Sequence, residues 1–155
     1  MKEERPELPA GWQLAPIDDL GELRLGKMLD KSKNQGIPVQ YLRNLNVRWF
    51  RFQVEDVLSL LASPDEIEKL SIVDGDLLIC EGGEPGRCAV WRGGANAFVY
   101  QKALHRFRSH GGIEPEILMY MLRHRSETGA LSDSFTGTTI KHLTRESLAR
   151  LIGDS

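Results

Sequence analysis

Cys80, Cys88 and the four histidines His105, His110, His124 and His142 are the residues of this chain best suited to nucleophilic or metal chemistry. Their spacing argues against both. Zinc sites pair their ligands as CxxC or HxxxH, whereas Cys80 and Cys88 stand too far apart and the histidines are scattered. A nucleophilic thiol needs exposure and a base, yet Cys80 follows Leu77-Leu78-Ile79 and Cys88 precedes Ala89-Val90-Trp91. Apolar strand runs of this kind hold structural thiols. Gly82, Gly83 and Gly86 offer free N–H groups to a phosphate, but the Lys-Ser/Thr ending of a phosphate loop is missing. Glu81 and Glu84 would repel the anion. No catalytic residue, metal ligand or cofactor is therefore assigned.

Binding chemistry has more to work with. Phosphates attract Lys, Arg, hydroxyls and backbone N–H groups, and base edges attract Arg, Lys, Asn and Gln. Lys31, Lys33, Asn34 and Gln35 crowd one segment, and Arg43, Asn44 and Asn46 lie just beyond it. Lys102 lies in the basic stretch from Arg87 to Arg108, and Gly137-Thr138-Thr139 is followed by Lys141-His142. Each group taken singly also suits a solvated loop. The net charge of −2 does not advertise a polyanionic partner, but its distribution is uneven. Residues 1–50 carry 8 basic and 7 acidic groups, 51–84 carry 2 and 9, and 85–155 carry 10 and 6. From Arg87 to Arg108 there is no acid at all. Two basic stretches around an acidic one fit either a single basic face or an uneven scatter of solvated charge.

The elements that would position these groups read as a mixed set. The chain's 155 residues, 41% apolar and 27% charged, suit one globular domain. The longest apolar run, near Ile117–Leu122, is far short of the ~18 residues of a membrane span, and Met1–Pro6 lacks a signal-peptide core. With two cysteines this points to a reducing cytoplasm. Residues 1–10 form a charged lead-in, and Trp12 is the first large apolar anchor. Ile17–Leu25 suits a short helix or a strand, Pro38–Leu42 a strand. Ser63-Pro64-Asp65-Glu66 carries an N-cap, a proline at the first helical position and the third-position glutamate of a capping box.

Gly75–Trp91 reads as a strand, a glycine turn and a second strand, with Arg87 oriented by Glu81 and Glu84 or one of the glutamates free to accept from cytosine. Across that hairpin Cys80 and Cys88 would lie near enough for a disulfide, though buried free thiols fit the apolar runs better. Phe98–Arg108 favours one strand. Glu114–Arg125 forms an amphipathic helix whose buried stripe would be Ile117, Leu118, Met121 and Leu122. Thr144 caps a last short helix, Arg145–Leu151. Several short strands in a mixed sheet with few helices make an α+β fold.

Five segments in order then resemble one family. Leu8-Pro9-Ala10-Gly11-Trp12 is similar to the leader LPxGW. Gly26-Lys27 followed by Gly36-Ile37-Pro38-Val39-Gln40-Tyr41-Leu42-Arg43-Asn44-Leu45-Asn46-Val47 resembles the G…G…PYLRxxNV block. Gly75-Asp76-Leu77-Leu78-Ile79 is like the GDLL strand, Tyr100–Arg106 like the next strand block, and Gly137-Thr138-Thr139-Ile140-Lys141-His142-Leu143 like the closing GTT…L loop. Together they resemble the target-recognition domain of the specificity (S) subunit of type I restriction–modification systems. The resemblance implies sequence-specific binding of double-stranded DNA, one half of a bipartite site, without catalysis. Partners would be the methylating and restriction subunits, which carry the methyl donor and ATP.

The expected contacts are Lys31, Lys33, Arg43, Asn44 and Lys102, with Thr138, Thr139 and Lys141, and the glycine turn is read as scaffold. Residues 1–143 would form the recognition domain and 144–155 the start of a truncated helical region. The resemblance ends near Leu148–Ser155, about where the family's spacer helix lengthens, which implies a fragment, a truncated product or a stand-alone relative. The competing expectations are a truncated module that pairs with a methylating subunit without reading DNA, and an enzyme using Cys80 or Cys88.

Overall fold

Leu77–Cys80 (β7) is the strand on which the fold turns: all four residues are buried, so both of its faces are covered. A computed structural model describes residues 14–26, 36–93, 98–134, 143–149 and 152–154. In chain order these give β1 (Leu14–Pro16), α1 (Ile17–Leu20), β2 (Gly21–Leu25), β3 (Ile37–Leu42), a 3-10 turn (Asn44–Asn46), β4 (Val47–Arg48), β5 (Arg51–Phe52), β6 (Leu58–Ala62) and α2 (Pro64–Leu70). Then follow β7, β8 (Cys88–Val90), β9 (Phe98–Tyr100), β10 (Leu104–Ser109), α3 (Pro115–Thr128), a 3-10 segment (Ala130–Ser134), α4 (Arg145–Ala149) and β11 (Ile152–Asp154). The fold is α+β. Its main sheet runs β2-β10-β7-β8, antiparallel throughout, and a second sheet runs β6-β3-β9 with β3 and β9 parallel.

The period of two along β7 divides the interior. Leu77 and Ile79 join Phe107, Cys88 and the helices on one face, where α3 supplies Leu118, Met119 and Leu122 and α4 supplies Leu148. Leu78 and Cys80 join Leu104, Ala89 and the second sheet's Val39, Tyr41, Leu42 and Val99 on the other. The main sheet is thus the middle of three layers.

Several expectations hold in detail. Ser63 Oγ accepts from the Glu66 N–H at 3.2 Å while the Glu66 carboxylate accepts from the Ser63 N–H at 3.0 Å, a complete capping box. Gly75–Trp91 is an antiparallel hairpin, with Ile79 opposite Cys88, and both thiols are free and buried. The Ser147 N–H donates to Thr144 Oγ1, capping α4.

Others are corrected. Ile17–Leu25 is a turn of helix followed by a strand. Phe98–Arg108 is two strands in different sheets, broken at Gln101–Ala103. The buried stripe of α3 is Pro115, Leu118, Met119 and Leu122, spaced i, i+3, i+4, i+7, so Ile117 lies 40% exposed. Beyond these corrections, residues 152–154 form β11, which pairs with β1, and Leu143, Leu148 and Ala149 lie in the same core as α1 and β2. The lead-in and Trp12 lie outside the described residues.

The arginines of β10 are structural. The Arg106 side chain, 2% exposed, donates to the carbonyls of Lys69 and Ser71 at the end of α2 and to Glu22 at 2.8 Å. Those carbonyls are ones a helix leaves unsatisfied. Arg108 grips fully buried Asp76 with two bonds of 2.8 and 2.9 Å, one to each carboxylate oxygen, and Asp76 Oδ2 also accepts the Val73 N–H at 2.8 Å. The acid-free run from Arg87 to Arg108 is therefore not a basic face: Arg87, Arg92, Arg106 and Arg108 are all bonded within the fold, and of its lysine and arginine side chains Lys102 alone has no partner among the described residues.

Candidate functional site

Antiparallel pairing brings one set of strand ends together. The start of β10 lies beside the ends of β2 and β7, with His105 opposite Leu25 and Leu104 opposite Cys80. In the second sheet β3 and β9 run parallel and end together at Leu42 and Tyr100, and the Gln101 N–H donates to Leu42 O at 3.3 Å. The chain following Leu25, the turn after Leu42, the Glu81–Arg87 turn and the Gln101–Ala103 turn therefore meet at one end of the molecule. A fifth segment arrives there, because the Leu143 N–H donates to Glu81 O at 2.7 Å and His105 Nε2 donates to Leu143 O at 2.7 Å. Contact is close. Gly26 donates to Leu104 O at 2.9 Å, and a β-carbon on it would stand 2.6 Å from the Gln101 carbonyl carbon.

The expected contact residues distribute around this end. Lys102 is exposed on the Gln101–Ala103 turn. Arg43, half-buried, donates to the Asp56 carbonyl at 3.2 Å and lies 3.8 Å from the Asp56 carboxylate. Asn44 is placed here too, but its amide is occupied. It donates to Gly82 O at 2.9 Å and accepts from Arg87 Nη2 at 2.9 Å. Lys31 and Lys33 lie outside the described residues, in a segment that leaves from Gly26. Thr138, Thr139 and Lys141 also lie outside them, in a segment that ends at Leu143. Gly26 and Leu143, where these segments start and end, are bonded to Leu104 and to Glu81 and His105, beside the Gln101–Ala103 turn.

Arg87 corrects the reading of the glycine turn. Its main partners are not glutamates but the 3-10 turn and the start of β4: Nε donates to Val47 O at 2.7 Å and Nη2 to Asn44 O at 3.2 Å, with Glu84 farther, at 3.4 Å. Gly83 has φ +72, which glycine adopts without strain, and a β-carbon there would meet Asn44 Oδ1 at 3.2 Å. The turn is a latch between the two sheets. Glu84 spends itself on the Trp49 indole N–H at 2.9 Å as well. Sequence reasoning missed the Arg48–Arg51 turn and strand β6 altogether. The one signal was Arg-Trp-Phe-Arg, whose aromatic pair reads as easily as core.

Burial rules out an activated thiol. It pushes Cys80 up to about 11, against the pull of the Arg87 charge, and it raises Cys88 well beyond the ordinary thiol range. Neither is poised as a nucleophile at neutral pH. Among the described residues no cluster of histidine, cysteine or carboxylate could hold a metal ion, and no helix among them is long and apolar enough to cross a membrane.

His105 is fully buried, and burial holds its pKa below the ordinary 6.5 despite its bond to Leu143. The unfolded chain therefore takes up the proton first as pH falls. Stability is full above about 6.5, declines below it, and levels once the lower folded value is passed. The expected result is a melting temperature that drops between pH 7.5 and pH 5.5, about where the free imidazole titrates, with the drop reduced in His105→Gln. A His105→Gln profile matching the parent's would show that another group is responsible.

No family model matches this sequence, and no curated protein matches it. Solved structures do. A chain from work on complex assembly and conformational transition of the type I R-M system aligns with a TM-score of 0.71 at 16% identity, covering 96% of this chain and 35% of that one. The HsdS subunit from Thermoanaerobacter tengcongensis aligns at 0.68 and 17% identity, covering 96% and 34%. The type I restriction–modification S subunit from M. genitalium aligns at 0.56 and 17% identity, covering 97% and 36%. The chain spans about a third of the length of each. Over nearly its whole length, this chain has the fold found in type I restriction–modification S subunits.

Proposed function

We propose that this chain is a target-recognition domain of the type I restriction–modification specificity kind, binding one segment of double-stranded DNA and reading half of a bipartite site without catalysis of its own. The fold shared with solved S subunits over 96% and 97% of the chain carries the reading. The meeting of Gly26, the Arg43–Asn46 turn, the Glu81–Arg87 turn, the Gln101–Ala103 turn and Leu143 at one end adds to it, since the residues best suited to phosphates and base edges lie in these turns or follow or precede these points in sequence. Lys31, Lys33, Lys102 and Lys141 contact phosphates or bases, with Arg43 at the margin and Thr138 and Thr139 as supporting donors. Asn44 acts by holding the Arg43–Asn46 turn against Gly82 and Arg87. Methylating and restriction subunits are the partners of such a domain in a larger assembly, and its compartment is the cytoplasm.

Selection of bound duplexes from a random pool at low salt tests the reading. One short sequence is expected to be enriched, with log K falling linearly as log salt rises. Lys102→Ala should weaken binding evenly across sequences and reduce the salt slope by about 0.9, one phosphate's share. A pool that yields no enriched sequence, together with binding indifferent to salt, would end the proposal.

A further inference from the structure

Arg48 and Arg51 face each other directly across the β4–β5 hairpin. Like charges so placed oppose the pairing. Arg51 is exposed, Arg48 half-buried, and among the described residues neither has a hydrogen-bond or ion-pair partner. Arg24, Arg43, Arg87, Arg92, Arg106, Arg108, Arg123 and Arg145 each have one. Between them Phe50 takes φ +69 and is 45% exposed. A bulky residue there adopts a conformation that turns reserve for Gly or Asn.

The tip is nonetheless fixed from three sides. The Phe50 N–H donates to Cys88 O at 3.0 Å, its ring lies 5.4 Å from Tyr120 on α3, and Trp49 is held by Glu84 at 2.9 Å and by the Arg123 guanidinium 4.8 Å from its ring. Arg87, binding Val47 O, ties the hairpin's base to the glycine turn at the loop end. The Arg48 charge acts on Cys80, at the same end of β7. A fixed tip that opposes two unneutralised guanidiniums and presents a strained, exposed ring is complementary to a surface with closely spaced anions and flat apolar faces.

We propose that the β4–β5 hairpin is a DNA-contacting arm in which Arg48 and Arg51 bind backbone phosphates and Phe50 packs on the adjoining sugar or base. This rests on the function proposed above and extends the contact surface beyond the converging loops. Guanidinium forks suit phosphate oxygens, and the phosphates would remove the repulsion that the fold leaves in place.

Binding of a mixed-sequence duplex by the full chain, followed by fluorescence anisotropy over a salt series, tests it. Arg48→Ala/Arg51→Ala should lower the salt slope by about 1.8 and weaken low-salt binding about tenfold or more, at an unchanged or raised melting temperature. Arg48→Lys/Arg51→Lys should restore most of the slope. Phe50→Gly, which suits the left-handed backbone, should weaken binding at an unchanged or raised melting temperature. An unchanged slope in the double alanine variant overturns the proposal, and so does full affinity in Phe50→Gly. If the unmodified chain binds no duplex, the proposed function fails and the arm with it. If the unmodified chain binds and the double alanine variant keeps its slope, the arm alone fails.

Discussion

Asp76→Ala is expected to destabilise the protein by about 3 kcal/mol, which for a chain of this size lowers the melting temperature by roughly 6–12 °C. The carboxylate is fully buried and accepts three bonds, two from Arg108 and one from the Val73 N–H. Truncation leaves that N–H without an acceptor and leaves the guanidinium facing an empty space. Arg108 is 38% exposed and recovers some hydration, which keeps the loss at the low end for a broken buried pair. Asp76→Asn retains an acceptor for Val73 and should lose about half as much. Because one partner is fully buried, added salt should narrow the gap to the parent very little. Urea midpoints at low and high salt give the measurement. A loss below about 1 kcal/mol would mean that the ion pair is no more than a surface contact.

Gly26→Ala is the second large effect, about 2 kcal/mol of overpacking. Its added carbon would stand 2.6 Å from the Gln101 carbonyl carbon and 2.8 Å from its oxygen. Those are backbone atoms and have no rotamer through which to retreat. The turn carrying Lys102 must separate from the end of β2, and the Gly26–Leu104 bond at 2.9 Å stretches with it. Stability and duplex affinity should therefore fall together, unlike in Lys102→Ala, where affinity alone falls. Chemical denaturation and a binding isotherm on the same preparation separate the two. A Gly26→Ala protein with the parent's midpoint would show that the β2 end and the Gln101 turn are not packed as tightly as described.

The parts of the fold legible in the sequence were those fixed by short-range chemistry. The Ser63–Glu66 capping box and the Gly75–Trp91 hairpin depend on residues a few positions apart, and both form as read. What stayed hidden depends on distant partners. Nothing near Arg87 announces that its guanidinium serves Val47 and Asn44, 40 and 43 residues away. The glutamates beside it looked sufficient. Phe98–Arg108 hid its break because strand-favouring residues continue across it while the chain passes from one sheet to another. Ile117 and Leu118 are equally apolar, so the sequence could not say which faces the core; the rotation of α3 against Phe107 and Cys88 decides. At the candidate site the Lys102 charge was readable, although reading Phe98–Arg108 as one strand hid the turn that exposes it. The engagement of Asn44 was not, since an asparagine in a turn looks alike whether its amide is free or latched.

The pairing of Leu14–Pro16 with Ile152–Asp154 has a consequence of a different kind. The described fold is entered and left through neighbouring strands, beside α1 and the Gly21 end of β2, while Lys102 and the converging segments gather at the Leu25 end. A chain entering and leaving side by side can be spliced into another polypeptide with little change to the host's spacing. Paired strands lie about 4.8 Å apart, so the two ends of the described fold would hold the flanking segments of such a polypeptide no farther apart than neighbouring strands of one sheet.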